Sequence, residues 1–403
     1  MRSAMVAGLL VAAGCGSDDP VPCGTCVRIE GLPEDVRITS LAADREGRIV
    51  AALEGHTYLS VARVDPSGVL DPSFGAGGIY RLGLRFGAAA MGELRSLDSV
   101  VVMADGSIRI GGDSAHATSP AVFGITADGY DDGWRVPAGD ADTSGAAISL
   151  MDQDGALVVG FGIHRPAGGG LHGVVEDLVR YTASGERDPA FPPTPAEWAT
   201  AIAPDGGFVM AGAAVEPAAI RFFARRVLRD GQPDPGFGGG APVVLPDAAG
   251  SPDRSLAVAP SAAGGLILAG VAGEAGGSVL LVARFDAAGR LDPSFGGGRG
   301  LATHDVLGTG DVRAIVEAAG GAIVVVGTSG DDTGGDLGSR AAAIRLRPDG
   351  SLDRGFGEAG VLVAEVGSSL FSSAVALPDG SVVAGGAVIG ASHVPLFARF
   401  PGR

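Results

Sequence analysis

One short phrase constrains this chain more than anything else in it. LDPSFG begins at Leu70 and returns as RDPAF at Arg187, PDPGFG at Pro233, LDPSFG at Leu291 and LDRGFG at Leu352. Three residues before each Asp stands a glycine (Gly68, Gly185, Gly231, Gly289, Gly350). Glycine supplies a positive φ and Asp caps its own backbone two residues on, so each phrase is a turn. The Phe that follows (Phe74, Phe191, Phe237, Phe295, Phe356) then drops back into apolar surroundings. Ahead of the phrases lie β-like runs carrying an Arg, such as VARVD from Val61, VRYT from Val179, VARFD from Val282 and AIRLR from Ala343. Further ahead come hairpin signals: Glu46-Gly47, Asp105-Gly106, Asp154-Gly155, Asp205-Gly206, Gly264-Gly265, Gly320-Gly321 and Asp379-Gly380. In each the dipeptide supplies the positive φ of a tight hairpin, and an apolar run follows at once.

Seven hairpins mean seven repeats. Gly47 and Gly380 lie 333 residues apart over six intervals, a mean near 55 residues. A unit of that length with about four short strands and glycine punctuation is a propeller blade and not a helical solenoid. Within a blade an inner strand turns at the hairpin into a second strand, and a variable loop leads to the third strand with its Arg. The LDPSFG turn follows, and a last strand closes the unit. The expected fold is all-β: a single seven-bladed β-propeller of four-stranded antiparallel blades.

The frame of Pro-Asp-Gly hairpin, apolar strand ending in Ala-Gly, Arg strand, and then Leu-Asp-x-x-Phe-Gly resembles the delta-60 repeat, a bacterial β-propeller repeat. The resemblance covers roughly residues 27–403. It implies fold and address more than activity, because such repeats are often carried on envelope lipoproteins. The second repeat departs from the pattern. Asp131-Asp132-Gly133-Trp134 replaces the Asp-Pro-Ser-Phe step, and Gly124 stands where the other repeats have Arg.

Residues 1–14 read as a signal peptide. Arg2 precedes a short apolar run over 5–13, and Ala12-Ala13-Gly14-Cys15 resembles a lipobox, at which Cys15 would be lipidated. The run is too short to span a bilayer, and no later stretch approaches eighteen apolar residues. Residues 15–26 form a polar, Pro-bearing linker that ends in Cys23 and Cys26. A C-x-x-C pair can be redox-active, half a zinc site or a short disulfide. With no second pair and no βαβ pattern nearby, an exported chain is expected to hold Cys23 and Cys26 as a local disulfide. The expected localisation is the cell envelope, exported and lipid-anchored at the outer membrane or cell surface, with membrane contact only through the N-terminal lipid.

The 69 glycines sit in register at turns, so they punctuate strands and do not signal disorder. The formal charge of −17, with every positive side chain an Arg, leaves no basic stripe to neutralise phosphates and disfavours nucleic acid. Arg63, Arg180, Arg225, Arg284, Arg345 and Arg399 recur on third strands, and Asp71, Asp188, Asp234, Asp292 and Asp353 recur at the turn. A charge present in nearly every blade holds the blade together, since a guanidinium forks onto a carboxylate or turn carbonyls. Binding sites are made by residues that break the symmetry.

Catalytic patterns are not evident: there is no G-x-S-x-G elbow and no HExxH, and catalytic residues stay unassigned. The asymmetry lies in the histidines. His56, His116, His164, His172 and His393 all fall in connections between second and third strands, on the face where propellers commonly bind. His304 ends a last strand, toward the same face, and Asp331 and Asp332 begin an acidic loop at 330–336. Neutral imidazole is a usual ligand for zinc, so His56, His116, His164 and His172, with Asp331 and Asp332, are the candidate ligands for a divalent cation. No other cofactor is implied. The expected role is a monomeric recognition or scaffolding module for a protein or glycan partner at the loop face. Alternatives are an envelope hydrolase or lyase with its site in the central pocket of that face, and a cation-binding structural protein.

The ring must also close. The seventh repeat reaches its Arg strand at LFARF from Leu396 and stops at Arg403, one strand short, while VRIEGLPEDVRITSL from Val27 belongs to no repeat. Residues 27–30 are therefore expected to pair with residues 397–400, capping an edge that would otherwise invite aggregation.

Overall fold

The apolar run after each hairpin glycine forms a strand with no solvent face. Ile49–Gly55 and Leu266–Ala272 are buried at every residue. A strand covered on both sides needs a sheet above and a sheet below, and a ring of stacked blades supplies both without leaving an end. The computed structural model describes all residues except 1–24, 28, 30, 85–95, 114–120, 137–145, 164–173, 193, 196, 198, 217–218, 250–255, 273–278, 307, 309, 331–337 and 402–403.

Seven four-stranded antiparallel sheets make a seven-bladed propeller. The inner strands are Val36–Ala43, Ser99–Val102, Ala146–Gln153, Ala199–Ile202, Leu256–Pro260, Val312–Glu317 and Ser369–Ala376. Each touches the next, and the first touches the last. The core is divided among seven apolar clusters, one per joint between neighbouring blades, including blade 7 against blade 1.

The two faces of the disc are built differently. Connections from first to second strand span five residues in six blades (44–48, 103–107, 203–207, 261–265, 318–322, 377–381) and two in blade 3 (154–155). Their positive φ falls on glycine, 78° at Gly47 for example, and in the two-residue turn Asp154 shares it at 53°. Connections from second to third strand run from two residues (56–57, 217–218) to ten (164–173, 330–339).

The repeat Arg, Asp and Phe latch each blade to the next. Arg63, Arg180, Arg284 and Arg345 each donate from Nε to Oδ2 of Asp71, Asp188, Asp292 and Asp353, at 2.8 Å in every case. The guanidinium carbons lie 4.8, 4.8, 4.9 and 4.7 Å from the ring centres of Phe74, Phe191, Phe295 and Phe356. Their Nη1 groups then cross the joint to turn carbonyls of the following blade: Arg63 to Ala127, Arg180 to Arg229 at 3.2 Å, Arg284 to Pro348 at 2.7 Å and Arg345 to Pro401 at 2.9 Å. Arg399 carries the same bond across the closing joint to Pro66. The buried Phe fills the space beside the next blade's turn glycine; a Cβ on Gly350 would sit 2.8 Å from the Phe295 ring. A Cβ on Gly68 would meet nothing within 4 Å among the described residues, since the fourth strand of the blade before it is the N-terminal Thr25–Val27.

Blade 4 corrects one expected residue. Asp234 N–H donates to the Arg226 carbonyl, as Asp71 does to Arg63, and Arg226 bonds Asp205 and lies 3.3 Å from Asp234. Arg226, eight residues before its Asp like the others, is the repeat Arg. Arg225 is one residue out of phase and therefore projects to the opposite face of the strand, where its Nη1 donates to Glu197 Oε1 at 3.3 Å.

Blade 2 keeps the latch with different residues. Arg109, on the second strand and directly opposite Gly124, donates to Asp132 Oδ2 at 2.8 Å and lies 4.7 Å from the Trp134 ring centre. The Trp134 Nε1–H takes over the bond across the joint, to the Ala183 carbonyl at 3.1 Å. Gly124 is bare because Arg109 and Asp132 fill the space that its side chain would need.

The ring closes through the N-terminal strand, two residues earlier than expected. Thr25–Val27 pairs with Val394–Phe400, with Thr25 opposite Arg399, Cys26 opposite Ala398 and Val27 opposite Phe397. Among the described residues the ladder covers 25–27, while Ile29 lies in the core between blades 7 and 1, 2% exposed, and Gly31 takes φ 86°. Cys15 and Cys23 lie outside the described residues, and so do residues 1–14, expected to be a signal peptide.

Candidate functional site

Closure brings together two stretches that are remote in sequence. Asp35 lies just before the inner strand of blade 1, His56 in its two-residue connection 56–57, and His393 in the connection 389–393 of blade 7. All three occupy the variable-loop face, at the seam where the ring shuts.

Their geometry is specific. Asp35 Oδ2 lies 3.0 Å from His56 Nδ1, and Asp35 Oδ1 accepts the His393 N–H at 3.1 Å. The imidazole rings are 5.5 Å apart and inclined by 30°. One ligand atom from each residue can be chosen so that all three lie within 4.8 Å of one another. Asp35 holds a left-handed backbone, φ 62°, which Asp tolerates better than most residues. The loop is braced by Tyr58, whose hydroxyl donates to the Glu34 carbonyl at 3.0 Å, and Arg81 lies 5.4 Å from the Tyr58 ring centre.

The electrostatics follow from these contacts. The His393 N–H holds the Asp35 carboxyl below its ordinary value, against slight burial, and His56 adds to the effect. Burial raises the Tyr58 hydroxyl. At blade 4, burial also raises Glu197 although Arg225 opposes it.

Of the expected ligands, the structure places only His56 in this cluster. His116, His164, His172, Asp331 and Asp332 lie outside the described residues. His304 does not join the loop-face set, because its Nε2 lies 2.9 Å from the Gly350 carbonyl on the next blade's repeat turn. Asp35 escaped the sequence reading since nothing near it has ligand spacing. The available signal was the closure itself, which makes residues near 35 and 393 neighbours.

A separate cavity of about 560 Å3 lies in the central channel at the end formed by the constant hairpins, opposite the variable-loop face. Inner strands of blades 4 to 7 wall it with Ala, Val, Ile and Pro. Among the described residues Glu317 is the one ionisable residue lining it, and its Oε2 accepts the Ala262 N–H at 2.6 Å. The alternative of a catalytic pocket had placed it at the other mouth.

Residues 264–295 and 321–356, in the fifth and sixth repeats, match a family described as a domain of unknown function (DUF5122) beta-propeller. No curated protein matches the chain. Among solved structures, the polysaccharide lyase Uly1 superposes with a TM-score of 0.51 at 11% identity, covering 91% of this chain and 90% of that one. A catalytically inactive virginiamycin B lyase from Staphylococcus aureus, solved with quinupristin, gives 0.50 at 10% identity, covering 93% and 99%. At such identities the likeness is one of fold.

Proposed function

We propose that this β-propeller is a recognition or scaffolding module of the cell envelope, tethered by lipid at Cys15 and meeting a protein or glycan partner through its variable-loop face. The observation that carries the reading is the contrast between the faces. One face repeats a five-residue hairpin in six blades and an Arg-Asp-Phe latch in four, while the other bears connections from two to ten residues long. Variable loops on a rigid scaffold are where binding residues concentrate. The lipobox-like Ala12-Ala13-Gly14-Cys15 and the resemblance to delta-60 repeats support the address. Among the described residues no helix is long and apolar enough to cross a membrane.

Photocrosslinking in the native envelope tests the recognition surface. A photoreactive residue at exposed Ser392, on the loop face, is expected to give a discrete adduct, and one at exposed Asp105, on the hairpin face, is not. Sensitivity of that adduct to protease or to glycosidase identifies the partner's class. Equal labelling from both positions refutes the face assignment. For the anchor, palmitate labelling should disappear in Cys15→Ser.

A further inference from the structure

We propose that Asp35, His56 and His393 form a binding site for a transition-metal dication of the zinc type, which pins blade 7 to blade 1 across the seam of the ring. The donor set is two imidazoles and one carboxylate, a combination that suits zinc, whereas calcium and magnesium prefer all-oxygen sites. Zinc bonds of about 2.0–2.1 Å set tetrahedral ligand atoms about 3.3 Å apart. The three donors already lie within 4.8 Å of one another. His56 is 62% exposed and already turns Nδ1 toward Asp35 Oδ2 at 3.0 Å. A water would take the fourth position on the solvent side.

The surroundings are arranged as metal sites commonly are. The His393 N–H fixes one oxygen of the Asp35 carboxylate, which leaves the other aimed at His56, and such outer hydrogen bonds orient ligands. Tyr58 braces the segment through the Glu34 carbonyl.

The location gives the site its purpose. At the closing joint Arg399 reaches Pro66, and among the described residues a Cβ on Gly68 would meet nothing within 4 Å, where other joints seat a Phe. Among the described residues that joint is packed less fully on the hairpin face. A metal held by residues 35, 56 and 393 would add a second fastening on the other face, and it would do so only when the ring is closed. Binding to the closed ring alone stabilises the closed ring by mass action. The proposal does not depend on the envelope partner.

The test is titration of tag-free full-length chain, stripped with EDTA, with zinc chloride, followed by calorimetry and by the visible spectrum of a cobalt(II) substitute. One saturable equivalent is expected. His56→Ala and His393→Ala should each weaken it at least the 10–100-fold seen when even an outer-shell partner is lost, and the double variant should abolish it. Asp35→Asn, which tolerates the left-handed backbone, keeps one oxygen to accept the His393 N–H and presents an amide donor to His56, should weaken zinc while melting normally in EDTA. Zinc should raise the melting temperature of the parent chain and not that of the double variant. Absence of saturable binding, or stoichiometric binding undiminished in the double variant, overturns the proposal.

Discussion

Replacing Arg284 by Ala removes one complete latch between blades 5 and 6. The side chain is 11% exposed and makes four contacts: Asp292 at 2.8 Å, Ser294 Oγ at 2.7 Å, the Pro348 carbonyl at 2.7 Å and the face of Phe295 at 4.9 Å. Breaking a fully buried pair costs about 3–5 kcal/mol, because the partner charge is stranded. Asp292 keeps some solvent, with 19% of its side chain exposed, so a loss of about 2–4 kcal/mol is expected here. Arg290→Ala is the control within the same blade. Its pair with Asp286 is also charged and at 3.0 Å, but Arg290 is 80% exposed, and such pairs are worth about 0–1 kcal/mol. Urea unfolding followed by circular dichroism measures both. The pH dependence adds a second check. Burial pushes the Asp292 carboxyl up, but hydrogen bonds from Ser294 and the charge of Arg284 outweigh it and hold the folded value below the ordinary one. A depressed carboxylate contributes stability above its unfolded value, about pH 4, and loses it as pH falls through the folded value. The gap between parent and Arg284→Ala should therefore narrow in acid. A cost no larger than that of Arg290→Ala, or a gap that widens below pH 4, refutes the latch.

Arg226→Ala should destabilise blade 4 by about 2–4 kcal/mol, since Arg226 is the repeat Arg there, and equal stability of parent and variant in urea would contradict that assignment. Trp134→Phe should cost about 1 kcal/mol, the net worth of the bond to Ala183, while Trp134→Ala, at a half-buried position, should cost about 2–3 kcal/mol; equal losses in thermal unfolding would deny the ring its stacking role under Arg109. Ile29→Ala should cost about 2–5 kcal/mol and promote aggregation on heating, measured by light scattering, because Ile29 anchors the strand that closes the ring; a neutral result would show that closure does not rest on it.

Much of this architecture is legible in the chain because it is periodic. A blade is a local object whose turn glycines, Arg strand and Asp-x-x-Phe step recur every few tens of residues, so seven hairpins and five Asp-x-x-Phe steps vote for one geometry. The closing strand is legible too, to within two residues, because the segment before Ser40 sits where other blades have a last strand. What repetition hides is phase and compensation. Arg225 and Arg226 look alike in sequence, and pleating alone decides which faces Asp234. Blade 2 loses its Arg at Gly124, yet Arg109 restores the charge from the adjoining strand and Trp134 restores the bond across the joint. The cluster at the seam is further from view, because Asp35 and His393 are 358 residues apart and meet through the closure of the ring. Local chemistry dictates each blade, and it is therefore written in the order of residues. Which side chains face each other across the seam depends on the accumulated rotation of seven blades, and only the tertiary structure decides that.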